Sequence, residues 1–246
     1  MAMHVYDRIG ATYASTRTAD PRIAAALMRA LGGARTVVNV GAGAGSYEPA
    51  GRMVTAVEPS VTMIAHRRGA SARVVRAYAE ELPFSSATFD AAMAVLSDHH
   101  WHDRAAGLRE LRRVARRAVV FTFDPAVASE GWIVRDYLHE FTHLAKGGMA
   151  IGEIAHHLGG ATITPVPIPH DCVDGFFHAF WRRPEAYLDP RIRAGISVFA
   201  FLDPGATREA LRRLGEDLQS GRWYQRNRAI LQRAELDLGY RLLVAA

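Results

Sequence analysis

Three stretches of this chain carry residue types at spacings suited to chemistry. In the first, Val37-Val38-Asn39-Val40 runs directly into Gly41-Ala42-Gly43-Ala44-Gly45. Glycine reaches backbone conformations closed to other residues and lets a ligand approach the main chain, so such a turn at the carboxyl end of a strand makes a cleft for a nucleotide or nucleoside. The spacing is Gly-x-Gly-x-Gly, with Ser46 where a dinucleotide fingerprint wants glycine or alanine, and this counts against NAD. In the second, Glu58 closes the β-rich run Met53 to Val57, 17 residues after Gly41. A carboxylate there can accept hydrogen bonds from both hydroxyls of a ribose, the structural alternative being a helix cap. The third is Ser97-Asp98-His99-His100-Trp101. Imidazoles titrate near neutrality, so His99 and His100 are candidate general bases for an acceptor that loses a proton; the alternative is that they shape a pocket wall.

A fourth stretch belongs to a different chemistry. His139-Glu140-Phe141-Thr142-His143 fits His-Glu-x-x-His on an expected helix, where two histidines four apart share a face and could bind zinc with Glu140 as base. The residues beyond His143 do not support a zinc hydrolase: Gly147 and Met149 do not continue the longer His-x-x-Gly-x-x-His pattern, and Ile163 stands where a third acidic ligand would be. No metal is expected.

The elements that must position these residues alternate. Thr36–Val40, Met53–Val57, Ala72–Arg76, Phe89–Val95 and Ala118–Phe123 read as strands, the first and last nearly continuous in apolar residues, as strands buried on both faces are. Asp20-Pro21 opens a helix that Gly32-Gly33 closes near Leu31, Pro59-Ser60 leads into another, and Arg104 to Ala115 has apolar spacing of three and four. This alternation argues for a mainly parallel sheet covered on both sides. After Pro125 longer helices are expected over Glu130–Ala145, Gly152–His157, Phe176–Leu202 and Thr207–Leu218, with strand candidates at Ala161–Val166 and Leu236–Val244.

The 246 residues, 49% hydrophobic and 22% charged, are enough for a full core. No apolar run approaches the roughly 18 residues of a membrane span, the start lacks an export signal, and the single cysteine, Cys172, suggests no oxidising compartment, so a cytoplasmic protein without a membrane partner is expected. The net charge of +5 is carried almost wholly by arginine, in pairs scattered beside acids such as Glu110 and Glu209. That pattern suits solvated helix faces rather than a nucleic-acid stripe.

Taken together, Val37 to Gly45, Ala56-Val57-Glu58-Pro59-Ser60, Ala79-Glu80-Glu81-Leu82-Pro83-Phe84, Ser86 to Asp90, Val95 to Trp101 and Glu110-Leu111-Arg112-Arg113-Val114 resemble the class I S-adenosylmethionine-dependent methyltransferases, in particular the small-molecule branch with Leu-Pro-Phe and His-His-Trp motifs. The resemblance covers roughly Tyr6 to Asp124. It implies a Rossmann-like α/β fold whose seven-stranded, mainly parallel sheet has the order 3-2-1-4-5-7-6, strand 7 antiparallel, under a helical cap. It also implies S-adenosylmethionine as cofactor and S-adenosylhomocysteine as product. Gly41, Ala42, Gly43 and Gly45 would pass under the methionine part; Glu58 would hold the ribose; Pro59 to Met63 and Tyr78-Ala79-Glu80 would border the adenine; Ser97 to Trp101 would lie beside the transferable methyl; and Tyr6 through Tyr13 would close over the cofactor. Two positions depart from the family: Asn39 stands where an acid is usual, and Tyr78 where an adenine-facing Asp is usual.

The expected organisation is one methyltransferase domain over 1–246, with a lid over 1–35, a cofactor-binding core over 36–124, cap helices and strand 6 over 125–235, and strand 7 over 236–246. A cytosine-type nucleophile has no place here, since Cys172 lacks the Pro-Cys setting, and the Asn/Asp-Pro-Pro-Tyr of amino-adenine enzymes is missing. A small-molecule acceptor methylated on O, N or C by in-line displacement is therefore expected. Trp132, Tyr137, Phe141, Phe176, Phe177, Phe180 and Trp181 could wall its pocket or form core. The alternative is a protein of the same fold that binds S-adenosylmethionine without transferring its methyl.

Overall fold

The computed structural model describes residues 17–67 and 72–246. Asp20 starts α1 (Pro21–Leu31): its carboxylate accepts the Arg22 N–H at 2.9 Å, and Pro21 takes the first position, where an N–H has no helical partner. Ile23, Leu27 and Leu31, four apart, make the buried stripe. β1 (Thr36–Val40) and β2 (Met53–Val57) follow, then α2 (Val61–Ala65), whose Met63 N–H is capped by Ser60 Oγ, and β3 (Arg73–Val75). β4 (Phe89–Val95) passes into a 3₁₀ turn at Asp98–His100, and α3 (Arg104–Val114) leads straight to β5 (Ala115–Phe123). Beyond it come α4 (Pro125–Ser129), α5 (Trp132–Asp136), α6 (Glu140–Lys146), α7 (Ile151–His157), β6 (Thr162–Pro165) and β7 (Ile168–Pro169). The chain ends through α8 (Pro190–Ala194), α9 (Pro204–Gln219), α10 (Arg222–Arg226), α11 (Arg228–Leu231), β8 (Glu235–Leu236) and β9 (Tyr240–Ala245).

The main sheet has seven strands in the order β3-β2-β1-β4-β5-β9-β6, with β9 antiparallel to both neighbours and the rest of the pairings parallel. This is the expected topology, β9 being the expected strand 7. Val37 and Met93 face the layer that holds α1; Val38, Val40, Ala92 and Val120 face Leu108 and Leu111 of α3 and Ile154 of α7. The strand order reverses between β1 and β4, where Asn39 lies opposite both Ala56 and Met93. Crevices in open α/β sheets form at such a point, outside the carboxyl ends of the strands.

The second half departs from expectation. Glu130–Ala145 is not one helix: α5 ends before Tyr137, and α6 begins at Glu140. Phe176–Leu202 is not a helix either. Residues 177–182 are turns, and Pro184 and Pro190, which cannot donate in a helix interior, instead open the 3₁₀ turn Pro184–Leu188 and α8. The last strand starts at Tyr240, not Leu236. Gly239, at φ 88°, breaks the run, and Leu236 pairs instead with Ile168 in a separate two-stranded sheet. Among the described residues no helix is long and apolar enough to cross a membrane. The segment Tyr6 to Tyr13, with the expected lid contact of Tyr13, lies outside the described residues.

Candidate functional site

Two adjoining cavities open beyond the strand ends. The first is built on the glycine turn, which Gly41 and Ala42 pin to the next strand by donating to the Val57 carbonyl at 2.9 and 3.0 Å. Gly41 has φ 68°, and a Cβ there would lie 2.5 Å from Ser97 Cβ; Gly43 has φ 51° and faces Met63. Glu58, buried at the end of β2, accepts from Gly43 N–H at 2.8 Å and Ser60 N–H at 3.0 Å. Its carboxylate thus fastens the turn to the start of α2, the capping alternative, while still lining the cavity. Asn39, Ala42, Pro59 and Met63 line the same space. Gly45 does not; it packs beneath, against Glu48 and Arg67. Arg67 donates to the Gly43 carbonyl at 3.0 Å and to Glu48 at 2.5 Å, and Asn39 Nδ2 donates to Glu48 at 3.4 Å. The neutral amide at position 39 is therefore backed by a carboxylate already neutralised by arginine.

At the far end, Tyr78, Ala79 and Glu80 line the cavity. Tyr78 sets its ring edge-on to His102, with centroids 5.9 Å apart. The Glu80 carboxylate accepts from the His102 and Asp103 N–H groups at 2.6 and 3.1 Å, so it orders the loop after β4.

That loop is the hinge of the site. Leu96 holds φ 50°, a conformation L-residues rarely take, fixed by its N–H to the Phe121 carbonyl at 2.7 Å. It turns the chain so that Ser97 Oγ donates to the Val40 carbonyl at 2.9 Å beside Gly41. Asp98 comes next, fully buried. Its Oδ2 accepts from Arg104 Nε at 2.9 Å and from Arg104 Nη2. Burial alone would raise this carboxyl, but Arg104 and His99 outweigh burial and hold it well below the usual carboxylate range. Asp98 Oδ1 has no hydrogen-bond partner and lies 3.9 Å from His99 Nδ1, which has none either. The His99 and His100 rings are 3.8 Å apart. Burial, then the neighbouring His99, pushes His100 well below the ordinary histidine value. Trp101 lies over Gly107, where a Cβ would come within 2.3 Å of its ring.

The second cavity holds about 610 Å³. It shares Arg17, Leu96, His100, Trp101 and His102 with the first, and His99 lines only the second. Of the cap aromatics, Phe141, Phe176 and Phe177 line it, joined by Phe123, Phe201 and Tyr240. Trp132, Tyr137, Phe180 and Trp181 are core instead: Trp132 Nε1 donates to the Trp181 carbonyl, and Trp181 Nε1 to the Ile168 carbonyl. Spacing alone could not separate the two sets.

His178 sits in this wall, with burial pushing its imidazole down to about 3 against the pull of the Ala128 carbonyl. Above the ordinary histidine pKa of about 6.5 neither state carries the proton; below it the unfolded chain takes a proton that the folded chain refuses until about 3, so stability falls with pH across that window. The expected loss from this one residue between pH 7.5 and pH 5 is about 2 kcal/mol. Urea denaturation at both pH values measures it. His178→Asn should flatten the slope by that amount, and an unchanged slope would refute the assignment.

Six polar residues at or behind the site carried no separate signal in the sequence. Arg17 reaches Asp174 with two hydrogen bonds, 2.5 and 3.0 Å, across 157 residues, and Tyr47 donates to the same carboxylate at 3.0 Å. Asp98, Arg104 and His178 are the others. The His139–His143 pattern falls at the start of α6. His139 precedes α6, and Glu140 accepts the Asp203 N–H at 3.0 Å. Among the described residues no group of three or more His, Cys, Asp or Glu is gathered as a metal site.

Residues 38–123 match the family model described as a methyltransferase domain. Over 94% of this chain and 99% of the other, the fold superposes with a TM-score of 0.87 and 31% identity on a crystal structure from Anabaena variabilis ATCC 29413, named "Putative methyltransferase from antibiotic biosynthesis pathway". The uncharacterized protein YafE of Escherichia coli K12 is 44% identical over 62 residues, a stretch that spans 24% of this chain and only 28% of that relative. Haemonchus contortus phosphoethanolamine N-methyltransferase 2, solved with phosphomonomethylethanolamine and S-adenosylhomocysteine, shares the fold alone. Its TM-score is 0.56 at 12% identity, over 99% of this chain and 59% of that one.

Proposed function

Because the chain belongs to the class I S-adenosylmethionine-dependent methyltransferases, we propose that it moves the sulfonium methyl to a small-molecule acceptor by in-line displacement, with the cofactor in the first cavity and the acceptor in the second. The observation that carries this reading is the junction. Five residues, among them Leu96, His100 and Trp101, line both spaces, so a group placed on one side meets a molecule on the other.

The donor set fits the cofactor. Gly41, without a Cβ, lets Ser97 pack against the turn so that main chain lines the cavity, and Glu58 presents carboxylate oxygens, each able to accept more than one hydrogen bond, where ribose hydroxyls are expected. Met63 and Pro59 offer apolar contact for the adenine, with Tyr78, Ala79 and Glu80 at its edge. Bound there, S-adenosylmethionine supplies an already electrophilic methyl. The protein's own work is to hold acceptor and methyl in line and exclude water, which in favourable models is worth up to about 7–11 kcal/mol. Where the acceptor loses a proton, His99 takes it, since it lines the acceptor cavity and has Asp98 behind it. Supplying acceptors with S-adenosylmethionine and tracking S-adenosylhomocysteine release together with a methyl mass gain tests the reading; a protein that binds the cofactor but methylates nothing in a broad metabolite screen would leave only the non-transferring alternative.

Glu58→Ala should weaken S-adenosylhomocysteine binding by about 1.5–3 kcal/mol with the fold intact, the range for hydrogen bonds to a charged group. Calorimetry reads this directly. Equal affinity in a folded variant removes Glu58 from the ribose and makes it a capping residue only.

A further inference from the structure

We propose that the second cavity takes an apolar aromatic acceptor carrying an acidic hydroxyl, a phenol or an enol, and that Asp98 is the positioning residue that turns His99 toward it. This rests on the two-cavity reading above. Asp98 Oδ1 and His99 Nδ1 are two buried polar atoms without hydrogen-bond partners, facing each other at 3.9 Å. Leaving both unpaired is unfavourable, and closing the pair when the site fills relieves it. Arg104, bonded to Oδ2, keeps the carboxylate from rotating away. A proton held on Nδ1 by Asp98 leaves Nε2 as the acceptor on the ring edge that remains to meet the cavity. Among the described residues the charged and titratable groups around His99 are Asp98, Arg104 and His100, with Arg17, His102, His178 and Tyr240 further round the cavity wall.

The rest of the lining selects the acceptor. Phe176 and Tyr240 stand with centroids 4.7 Å apart, Phe141 and Phe177 at 5.0 Å, and Phe123 and Phe141 at 6.4 Å, a wall of ring faces and edges suited to another ring. The polar side chains of the wall among the described residues are His, Arg, Ser and Tyr, a set that does not favour an ammonium group. A phenol, with a pKa of about 10, matches an imidazole base better than a hydroxyl as weakly acidic as water, at about 15.7. In the step, the acceptor oxygen bonds the methyl carbon while the carbon–sulfur bond breaks with its electron pair staying on sulfur. The hydroxyl proton passes to His99 Nε2 and then to solvent.

The test uses the full chain loaded with S-adenosylhomocysteine and three probes on one ring system: 2-naphthol, 2-naphthylmethanol and 2-naphthylmethylammonium, with phenols of one and three fused rings added to bracket size. Calorimetry should show a phenol binding roughly tenfold or more tighter than the ammonium, and with S-adenosylmethionine the phenol should be methylated at least tenfold faster than the alcohol. The ammonium binding as well as the phenol, or no phenol binding at all, overturns the acceptor class; a failure of S-adenosylhomocysteine itself to bind overturns the earlier reading instead. Asp98→Asn should lower kcat roughly 10–10³-fold with KM and S-adenosylhomocysteine affinity nearly unchanged, shift the acid limb of the rate profile to lower pH, and be partly rescued by Asp98→Glu. A rate loss with the limb unmoved would make Asp98 structural only. Should the asparagine variant not fold, nitrogen NMR of wild-type His99 decides: the proton on Nδ1 supports the positioning role, and the proton on Nε2 refutes it.

Discussion

With His99→Gln, turnover falls roughly 10²–10⁴-fold on a hydroxyl acceptor, S-adenosylhomocysteine binds as before, and the acid limb of the pH–rate profile disappears. The size comes from the difference between the two side chains: the amide fills a similar space but cannot take a proton. The unchanged cofactor affinity comes from geometry, since His99 lines the second cavity and not the first. His100→Gln is the contrast. His100 lines both cavities and is held neutral by burial and by His99 beside it, so its replacement disturbs the junction but leaves the acid limb in place. Single-turnover kinetics across pH in both variants reads the difference. Near wild-type rates in His99→Gln at every pH would mean that positioning alone carries the transfer.

The two histidines also show where a sequence stops being informative. The run Val95 to Trp101 locates a site at the end of β4, and β1, β2 and β4 lie on their expected residues: β1 and β4 are buried and so apolar almost throughout, while β2, buried only at Ala56 and Val57, is marked by its β-branched run ending at Glu58. Gly41 and Glu58 are equally legible, since a glycine turn with an acid at the next strand end is a local pattern. What separates His99 from His100 is not local. It depends on Arg104 folding back on Asp98 from α3, and on Leu96 taking a positive φ.

The cap fails for a related reason. Aromatics at helical spacing from Phe176 to Trp181 suggest a helix, yet they fill the wall and the core from a run of turns, and Pro184 and Pro190 open new elements. Gly131 is needed where His178 approaches, since a Cβ would sit 2.9 Å from its Nε2. Arg17 and Asp174 meet across 157 residues, a pairing that only the assembled cap creates.

The second large effect concerns the glycine turn. Gly41→Ala forces an L-residue to φ 68°, at about 1–2 kcal/mol, and drives its Cβ to 2.5 Å from Ser97 Cβ, an overpacking of about 1–3 kcal/mol more. The neighbour cannot easily yield, because Ser97 is tied through Oγ to the Val40 carbonyl, and the Gly41 N–H is tied to the Val57 carbonyl. The strain therefore lands on the β1–β4 crossover that shapes the first cavity. The expected result is a loss of about 2–5 kcal/mol in stability by urea denaturation, with S-adenosylhomocysteine affinity reduced at least roughly tenfold. Gly33→Ala is the matched control: a Cβ there meets nothing within 4 Å, so the change should stay within about 0.5 kcal/mol. Adding Ser97→Gly to Gly41→Ala removes the contact but not the φ, so the double variant should recover the overpacking part alone, a coupling of about 1–3 kcal/mol in a double-mutant cycle. Additive losses would place the damage in the backbone conformation, and a Gly41→Ala protein with native stability and affinity would show that the close approach of β1 and β4 does not shape the cavity.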